Sequence, residues 1–148
     1  MIGGEVESRG HLALACALPH QRGIAAELWE STSEIKPLGV GINLLPHATK
    51  ELTELGLLAA LDALGIKTSS LAYYNKFGQL IWHEPRGLYA GYPWPQFSLH
   101  RGALQMLLLA AVHERLGADA VQCGERAESF EHTDHGARVW LRRRSDGA

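Results

Sequence analysis

Between Arg101 and Leu116 the apolar positions Leu104, Leu107, Leu108, Ala111, Val112 and Leu116 fall at i, i+3, i+4, i+7, i+8 and i+12. That is the period of one helical face, so the spacing predicts a helix that buries Leu104, Leu108 and Val112 and stops at Gly117. Upstream, Pro46 suits a first helical turn, where its missing N–H costs no hydrogen bond. From there Ala48, Leu52 and Leu55 share a face while Lys50, Glu51 and Glu54 lie elsewhere. Gly56 supplies a stop, and a second short helix runs to Gly65. Residues 12–18, rich in Ala and Leu, read as a helix before Gly23, and residues 24–29 as a strand ending at Glu30. Helix, glycine and strand in that order make half of a βαβ unit.

The remaining patterns are shorter. Ser70–Tyr74 and residues 79–83 read as strands around a turn at 75–78. Residues 96–99 read as a short extended piece. Val121–Cys123, residues 126–132 and residues 137–143 read as strands, the last two about a turn at 134–136. Residues 37–46, with Gly39 and Gly41 interleaved among Leu38, Val40 and Ile42, read as a loop, as do residues 85–95. Trp82, Tyr89, Tyr92 and Trp94 are expected to pack in the core and against the loops, the alternative being that some of them line a pocket.

Composition narrows the class. The chain has 148 residues, 46% hydrophobic and 20% charged, which is the make-up of one ordinary globular domain. Fourteen Lys and Arg against sixteen Asp and Glu leave a formal charge of -2, which disfavours a protein that grips nucleic acid by its phosphates. The longest apolar runs, 57–64 and 104–112, are too short for a membrane span. The first ten residues carry Glu5, Glu7 and Arg9 and lack signal-peptide order, so a cytoplasmic protein is expected. Cys16 and Cys123 fit no metal spacing and read as buried small apolar residues in a reducing compartment. His132 and His135 beside Glu131 and Asp134 read as a solvated hairpin turn, not a metal site. Arg138, Arg142, Arg143 and Arg144 read as a solvated strand and tail.

Three segments carry candidate chemistry. Glu30, at the end of its strand, is placed either to accept two hydrogen bonds from a ribose diol or to stand in solvent as an ordinary strand end. Pro37-Leu38-Gly39-Val40-Gly41-Ile42-Asn43 either brings bare backbone against a flat ligand or makes a tight connection. Arg101 opens the long helix, where exposed N–H groups favour anions, and Gln105 lies one turn on; the plain alternative is a surface ion pair.

Taken together and in order, these segments resemble the single-component flavin-dependent aromatic hydroxylases, among which are the salicylate and para-hydroxybenzoate hydroxylases. The resemblance rests on Ser-Glu-Ile-Lys-Pro-Leu-Gly-Val-Gly-Ile-Asn-Leu-Leu-Pro-His at 33–47 and Leu-Gly-Leu at 55–57. It rests also on Ile-Trp-His-Glu-Pro-Arg-Gly at 81–87 and Phe-Ser-Leu-His-Arg-Gly-Ala-Leu-Gln at 97–105. It runs from about Gln21 onward and is closest to the phenazine monooxygenase branch. The resemblance implies an α/β fold: a Rossmann-like FAD-binding portion with a parallel sheet, helices and a small β-meander, spanning residues 1–148 and incomplete at both ends. It implies FAD as cofactor, NADH or NADPH as reductant and a small aromatic molecule of phenazine or salicylate type as substrate, with no nucleic-acid or membrane partner. By the same resemblance Glu30 holds the adenosine ribose, and Arg101 and Gln105 line the pyrophosphate and ribityl chain. Gly39, Val40 and Gly41 run beside the isoalloxazine, and Ala127 meets the adenine end through its backbone. Some relatives use a His as base where this chain has Asn43, which takes no proton, so no general base is assigned.

The first 20 residues depart from that pattern. Gly3-Gly4-Glu5-Val6-Glu7-Ser8-Arg9-Gly10 stands where the family has Gly-x-Gly-x-x-Gly, and acidic side chains fall where a pyrophosphate needs bare backbone. The chain alone is therefore expected to bind FAD weakly or not at all and to hydroxylate nothing. The rival reading is a non-catalytic remnant or partner-binding domain with the same fold and no FAD. A nicotinamide-dependent dehydrogenase is disfavoured, since it requires neither the 37–43 loop nor the Arg101–Gln105 helix start.

Overall fold

A computed structural model describes residues 27–144. The helix expected at 12–18, the glycine substitutions at 3–10 and Cys16 lie outside the described residues. The described chain forms two compact units, residues 27–36 with 108–144 and residues 37–107.

In the unit of residues 37–107 the centre is a three-stranded antiparallel sheet in the order β2-β6-β3, made of β2 (Gly41–Leu44), β6 (Phe97–His100) and β3 (Ile66–Lys67). The expected loop at 37–46 is corrected here, because its second half is strand β2. Ile42 and Leu44 alternate with Gly41 and Asn43, and β6 supplies the ladder: Gly41 faces His100, Ile42 faces Leu99, Asn43 faces Ser98 and Leu44 faces Phe97. A pattern this short, opened by two glycines, reads as a strand only once its partner is known. One sheet face thus carries Leu44, Phe97 and Leu99, all buried, and the other carries Gly41, Asn43, Ser98 and His100.

Helix α1 (Pro46–Glu54) begins on Pro46 as expected, and α2 (Leu58–Leu64) follows after Gly56, which adopts φ +74° and donates its N–H to Thr53 O at 2.8 Å. Leu52 and Leu61 are fully buried. The hairpin of β4 (Ser70–Tyr74) and β5 (Leu80–Pro85) turns on Asn75, whose Oδ1 accepts from the N–H groups of Phe77 and Gln79. Trp82, Tyr89 and Tyr92 are exposed, and Trp94 is partly buried. The expectation of core packing therefore fails for the first three: Trp82 lies in a two-stranded hairpin that pairs with no other strand among the described residues, and Tyr89 and Tyr92 lie in the 3-10 turn and loop that follow it.

Helix α3 (Arg101–Leu116) has the bounds the spacing predicts and buries Leu104, Leu108 and Val112. Gly117 stops it at φ +89° with its N–H on His113 O. In the unit of residues 27–36 and 108–144, β1 (Leu28–Glu30) pairs in parallel with β7 (Val121–Cys123). This is the one parallel pair among the described residues. β8 (Glu125–Thr133) and β9 (Gly136–Arg143) form a long hairpin. The arginines there are exposed, as expected of a solvated strand, and three of them pair across the hairpin: Arg138 with Glu131, Arg142 with Glu128 and Arg143 with Glu125. Cys123 is exposed, which corrects its expected burial: among the described residues β7 pairs only with β1, and its last two residues are exposed. No helix of the described residues is long and apolar enough to cross a membrane, and no group of three or more His, Cys, Asp or Glu among them could hold a metal ion.

Candidate functional site

Five of the seven candidate residues lie in the unit of residues 37–107, where the loop before β2 meets the start of α3. The backbone N–H of Arg101 donates to Val40 O at 3.0 Å, so the helix start and the loop are hydrogen-bonded to each other. Two glycines make that approach possible. Gly39 sits at φ +137°, and a Cβ there would stand 2.6 Å from Arg101 Nε. Gly102 lies against Pro37, where a Cβ would meet the carbonyl carbon at 2.4 Å and its oxygen at 2.5 Å. The sequence reading identified Gly39 but missed Gly102, which looks like any glycine near a helix start until Pro37 is seen beside it.

The Arg101 side chain is exposed and forms no ion pair or hydrogen bond among the described residues. Gln105, one turn along, is buried to 9% exposure, and its Nε2 has no hydrogen-bond partner among the described residues. A buried amide without a partner costs roughly 1–3 kcal/mol, so its persistence points to a ligand or water that completes it. Val40 is exposed at the surface of the loop, and a Cβ on Gly41 would meet nothing within 4 Å, so the strand start is open on that side. His100 closes the helix start, its Nδ1 accepting the Ala103 N–H at 3.3 Å.

The other two candidates lie in the other unit. Glu30 ends β1 opposite Cys123, and its Oε1 accepts from the Thr32 N–H at 2.8 Å and from the Ser31 hydroxyl at 3.3 Å. The carboxylate is thereby held at the end of a parallel strand pair, the place where open α/β sheets bind ligands. Ala127 lies early in β8, opposite Leu141 and next to a bulge before Ser129, which interrupts the ladder and leaves backbone groups there differently paired. Gly124, at φ +80°, turns the chain into β8 and donates to Thr32 O at 2.8 Å, so the strand carrying Ala127 is tied to the turn that follows Glu30.

No protein-family model matches the chain. In sequence it is 53% identical over 139 residues to a phenazine 1,6-dicarboxylic acid hydroxylase of Lysobacter antibioticus, a match that covers 93% of this chain and 34% of that protein. It is 32% identical over 149 residues to an FAD-dependent urate hydroxylase of Klebsiella oxytoca, covering 95% and 35%. In structure it superposes on a variant of HpxO of Klebsiella pneumoniae complexed with FAD, with a TM-score of 0.70, 25% identity and coverage of 90% and 33%. It shares the fold of p-nitrophenol 4-monooxygenase of Pseudomonas putida at a TM-score of 0.69 and 17% identity. The chain spans about a third of the length of the relatives it matches.

Proposed function

We propose, from a chain that is a sequence relative of the FAD-dependent aromatic hydroxylases over about a third of their length, that it supplies the FAD-binding portion of an NAD(P)H-dependent aromatic-ring monooxygenase. The observation that carries this reading is the junction of residues 37–41 with 101–105. There, among the described residues, the buried Gln105 Nε2 has no hydrogen-bond partner and the exposed Arg101 side chain makes no ion pair, and two glycines hold backbone where side chains would not fit. These residues suit a flat, doubly phosphorylated cofactor.

FAD, when bound, supplies the redox chemistry that takes electrons from NADH or NADPH and activates oxygen for ring hydroxylation. The residues of this chain bind and orient. Arg101, at a helix start, neutralises phosphate charge with the help of the helix dipole. Gln105 hydrogen-bonds the polar chain between phosphate and ring, and Gly39, Val40 and Gly41 offer a loop edge to the ring. Glu30 accepts from the ribose hydroxyls, and the backbone at Ala127 meets the adenine. The substrate is a small aromatic heterocycle or acid of phenazine type, and the setting is cytoplasmic.

Alone, the chain binds FAD weakly and does not turn over. In sequence, the stretch at 3–10 carries acidic residues where the related enzymes have Gly-x-Gly-x-x-Gly, and negative charge repels a pyrophosphate. The test is purification, addition of FAD, NAD(P)H and oxygen, and assay with phenazine 1,6-dicarboxylic acid. Weak yellow colour without product is expected, and a tightly flavinated protein that forms hydroxylated product unaided overturns this part of the reading.

A further inference from the structure

Strand β4 (Ser70–Tyr74) has two edges, and among the described residues only one of them is paired. In the hairpin Leu71 faces Glu84, Ala72 faces His83 and Tyr73 faces Trp82, and β4 pairs with β5 alone. Two hydrogen bonds just beyond the strand fix the direction of its backbone groups. The Arg86 N–H donates to Ser69 O at 2.8 Å, and the Asn75 N–H donates to Gln79 O at 3.0 Å. Ser69 and Asn75 therefore turn their polar groups toward β5, and by the alternation of an antiparallel ladder so do Leu71 and Tyr73. The N–H and C=O groups of Ser70, Ala72 and Tyr74 point the other way, along an edge that no strand occupies among the described residues.

The two outer edges of the hairpin are guarded differently. On β5, Pro85 stands opposite Ser70, so its nitrogen lies on the outer edge and offers no N–H there. Ile81 is an extra residue between Leu80, which faces Tyr74, and Trp82, which faces Tyr73, and this bulge bends the same strand. Proline and bulges are means by which edge strands avoid pairing. Strand β4 reads Ser-Leu-Ala-Tyr-Tyr, with no proline and no charge. Its surroundings favour cover: Tyr73 and Tyr74 are 55% and 61% exposed, and Trp82, beside Tyr73, is 56% exposed. These three rings present on the order of 300 Å² of aromatic surface.

We propose that the free edge of β4 is a docking surface for a second copy of this chain, paired antiparallel about a two-fold axis at Ala72. The strand is complementary to itself in that register. Ala72 meets Ala72 of the second copy, Leu71 meets its Tyr73 and Ser70 meets its Tyr74, so each tyrosine lies against a smaller side chain on the same face. The outward backbone groups match as well: Ala72 with Ala72 and Ser70 with Tyr74 become hydrogen-bonded pairs, and all five residues of the strand are used. Moving the axis to Tyr73 sets two tyrosines opposite each other and places Ser70 and Leu71 opposite the turn. The product is a four-stranded sheet whose outer edges are both β5, already blunted, so assembly closes at two. The surface covered is below the roughly 800 Å² per partner of a standard interface, so the dimer is weak, with a Kd in the micromolar range. It uses no residue of the candidate cofactor site and stands apart from the flavin reading.

The experiment is sedimentation velocity of the full 148-residue chain from low to high micromolar concentration. A monomer–dimer equilibrium with no larger species is expected. Ala72→Pro removes the outward N–H at the axis and none that β5 uses, so its far-UV circular dichroism should match the parent. Its dimer dissociation constant should rise roughly tenfold or more, as for two lost backbone hydrogen bonds. Register is read by cysteine cross-linking in a background of Cys16→Ser and Cys123→Ser. Ala72→Cys is expected to link to itself under mild oxidation, since opposed Cα atoms in a hydrogen-bonded pair lie about 5.5 Å apart, within disulfide reach. Tyr74→Cys alone should not, because its two copies lie four residues apart along the ladder, about 13 Å; mixed with Ser70→Cys it should. The proposal is overturned if the parent stays monomeric throughout or forms open-ended aggregates. It is overturned too if a folded Ala72→Pro dimerises like the parent, or if Tyr74→Cys links to itself as readily as Ala72→Cys. Should Ala72→Pro unfold, the cysteine pattern decides. A monomer whose β4 edge binds instead the remaining two thirds of a related hydroxylase would show a different occupant and likewise overturn it.

Discussion

Gly102→Ala is the sharpest probe of the junction, because two effects of opposite sign compete there. In an open helix position, replacing Gly by Ala stabilises by up to about 1 kcal/mol through helix propensity alone. At Gly102 the added Cβ would stand 2.4 Å from the carbonyl carbon of Pro37, 2.5 Å from its oxygen and 2.9 Å from Leu38 N. These are backbone atoms, not the end of a flexible side chain. The loop cannot simply swing aside, since Val40 O is held by the Arg101 N–H at 3.0 Å. Overpacking of this kind typically costs about 1–3 kcal/mol, and the rigid partner favours the upper half of that range. The net expectation is a loss of about 1–2 kcal/mol, or roughly 3–8 °C in melting temperature for a domain of this size. Urea and thermal unfolding followed by far-UV circular dichroism measure it. A variant as stable as the parent, or more stable, would show that residues 37–38 do not press on the helix start as described.

Gly41→Ala gives the contrasting case. Its Cβ meets nothing within 4 Å, so stability should move by no more than about 0.5 kcal/mol while FAD affinity falls; a loss of stability equal to that of Gly102→Ala would contradict the open strand start. Gln105→Met removes a buried unpartnered amide and should leave the free protein as stable as the parent or more so, by up to about 1–3 kcal/mol, while weakening FAD binding. Destabilisation by Gln105→Met would mean the amide already has a partner. Glu30→Gln keeps an acceptor for the Thr32 N–H but not the charge, so its unfolding should match the parent while Glu30→Ala loses about 1 kcal/mol. Equal stability of the two variants would deny the carboxylate its structural part.

The helices were legible because each carries its own information. The apolar stripe from Leu104 to Leu116 and the Gly117 stop define α3 without reference to anything distant, and Pro46 and Gly56 do the same for α1. Strand β2 was not legible, since four residues opening on Gly41 become a strand only through pairing with Phe97–His100, more than fifty positions away. The exposed Trp82, Tyr89 and Tyr92 were misread for a related reason: hydrophobicity shows that a side chain favours cover, not whether a neighbouring layer exists to give it. At the candidate site, Arg101, Gln105 and Glu30 were singled out by their places at a helix start and a strand end and by the resemblance of the segments that carry them. The role of Gly102 depends on a contact with Pro37 that no local pattern encodes.

Quenching of FAD fluorescence on titration with the purified chain, for the parent and for Arg101→Ala and Glu30→Ala, tests the central claim most directly. The expected result is weak but saturable binding by the parent and a roughly ten- to hundredfold loss in each variant, as for removal of a charge-assisted hydrogen bond. Arg101 makes no ion pair among the described residues, so Arg101→Ala should lose affinity without losing stability. Binding by the parent that both variants retain unchanged would contradict the assignment of Arg101 and Glu30 to a flavin.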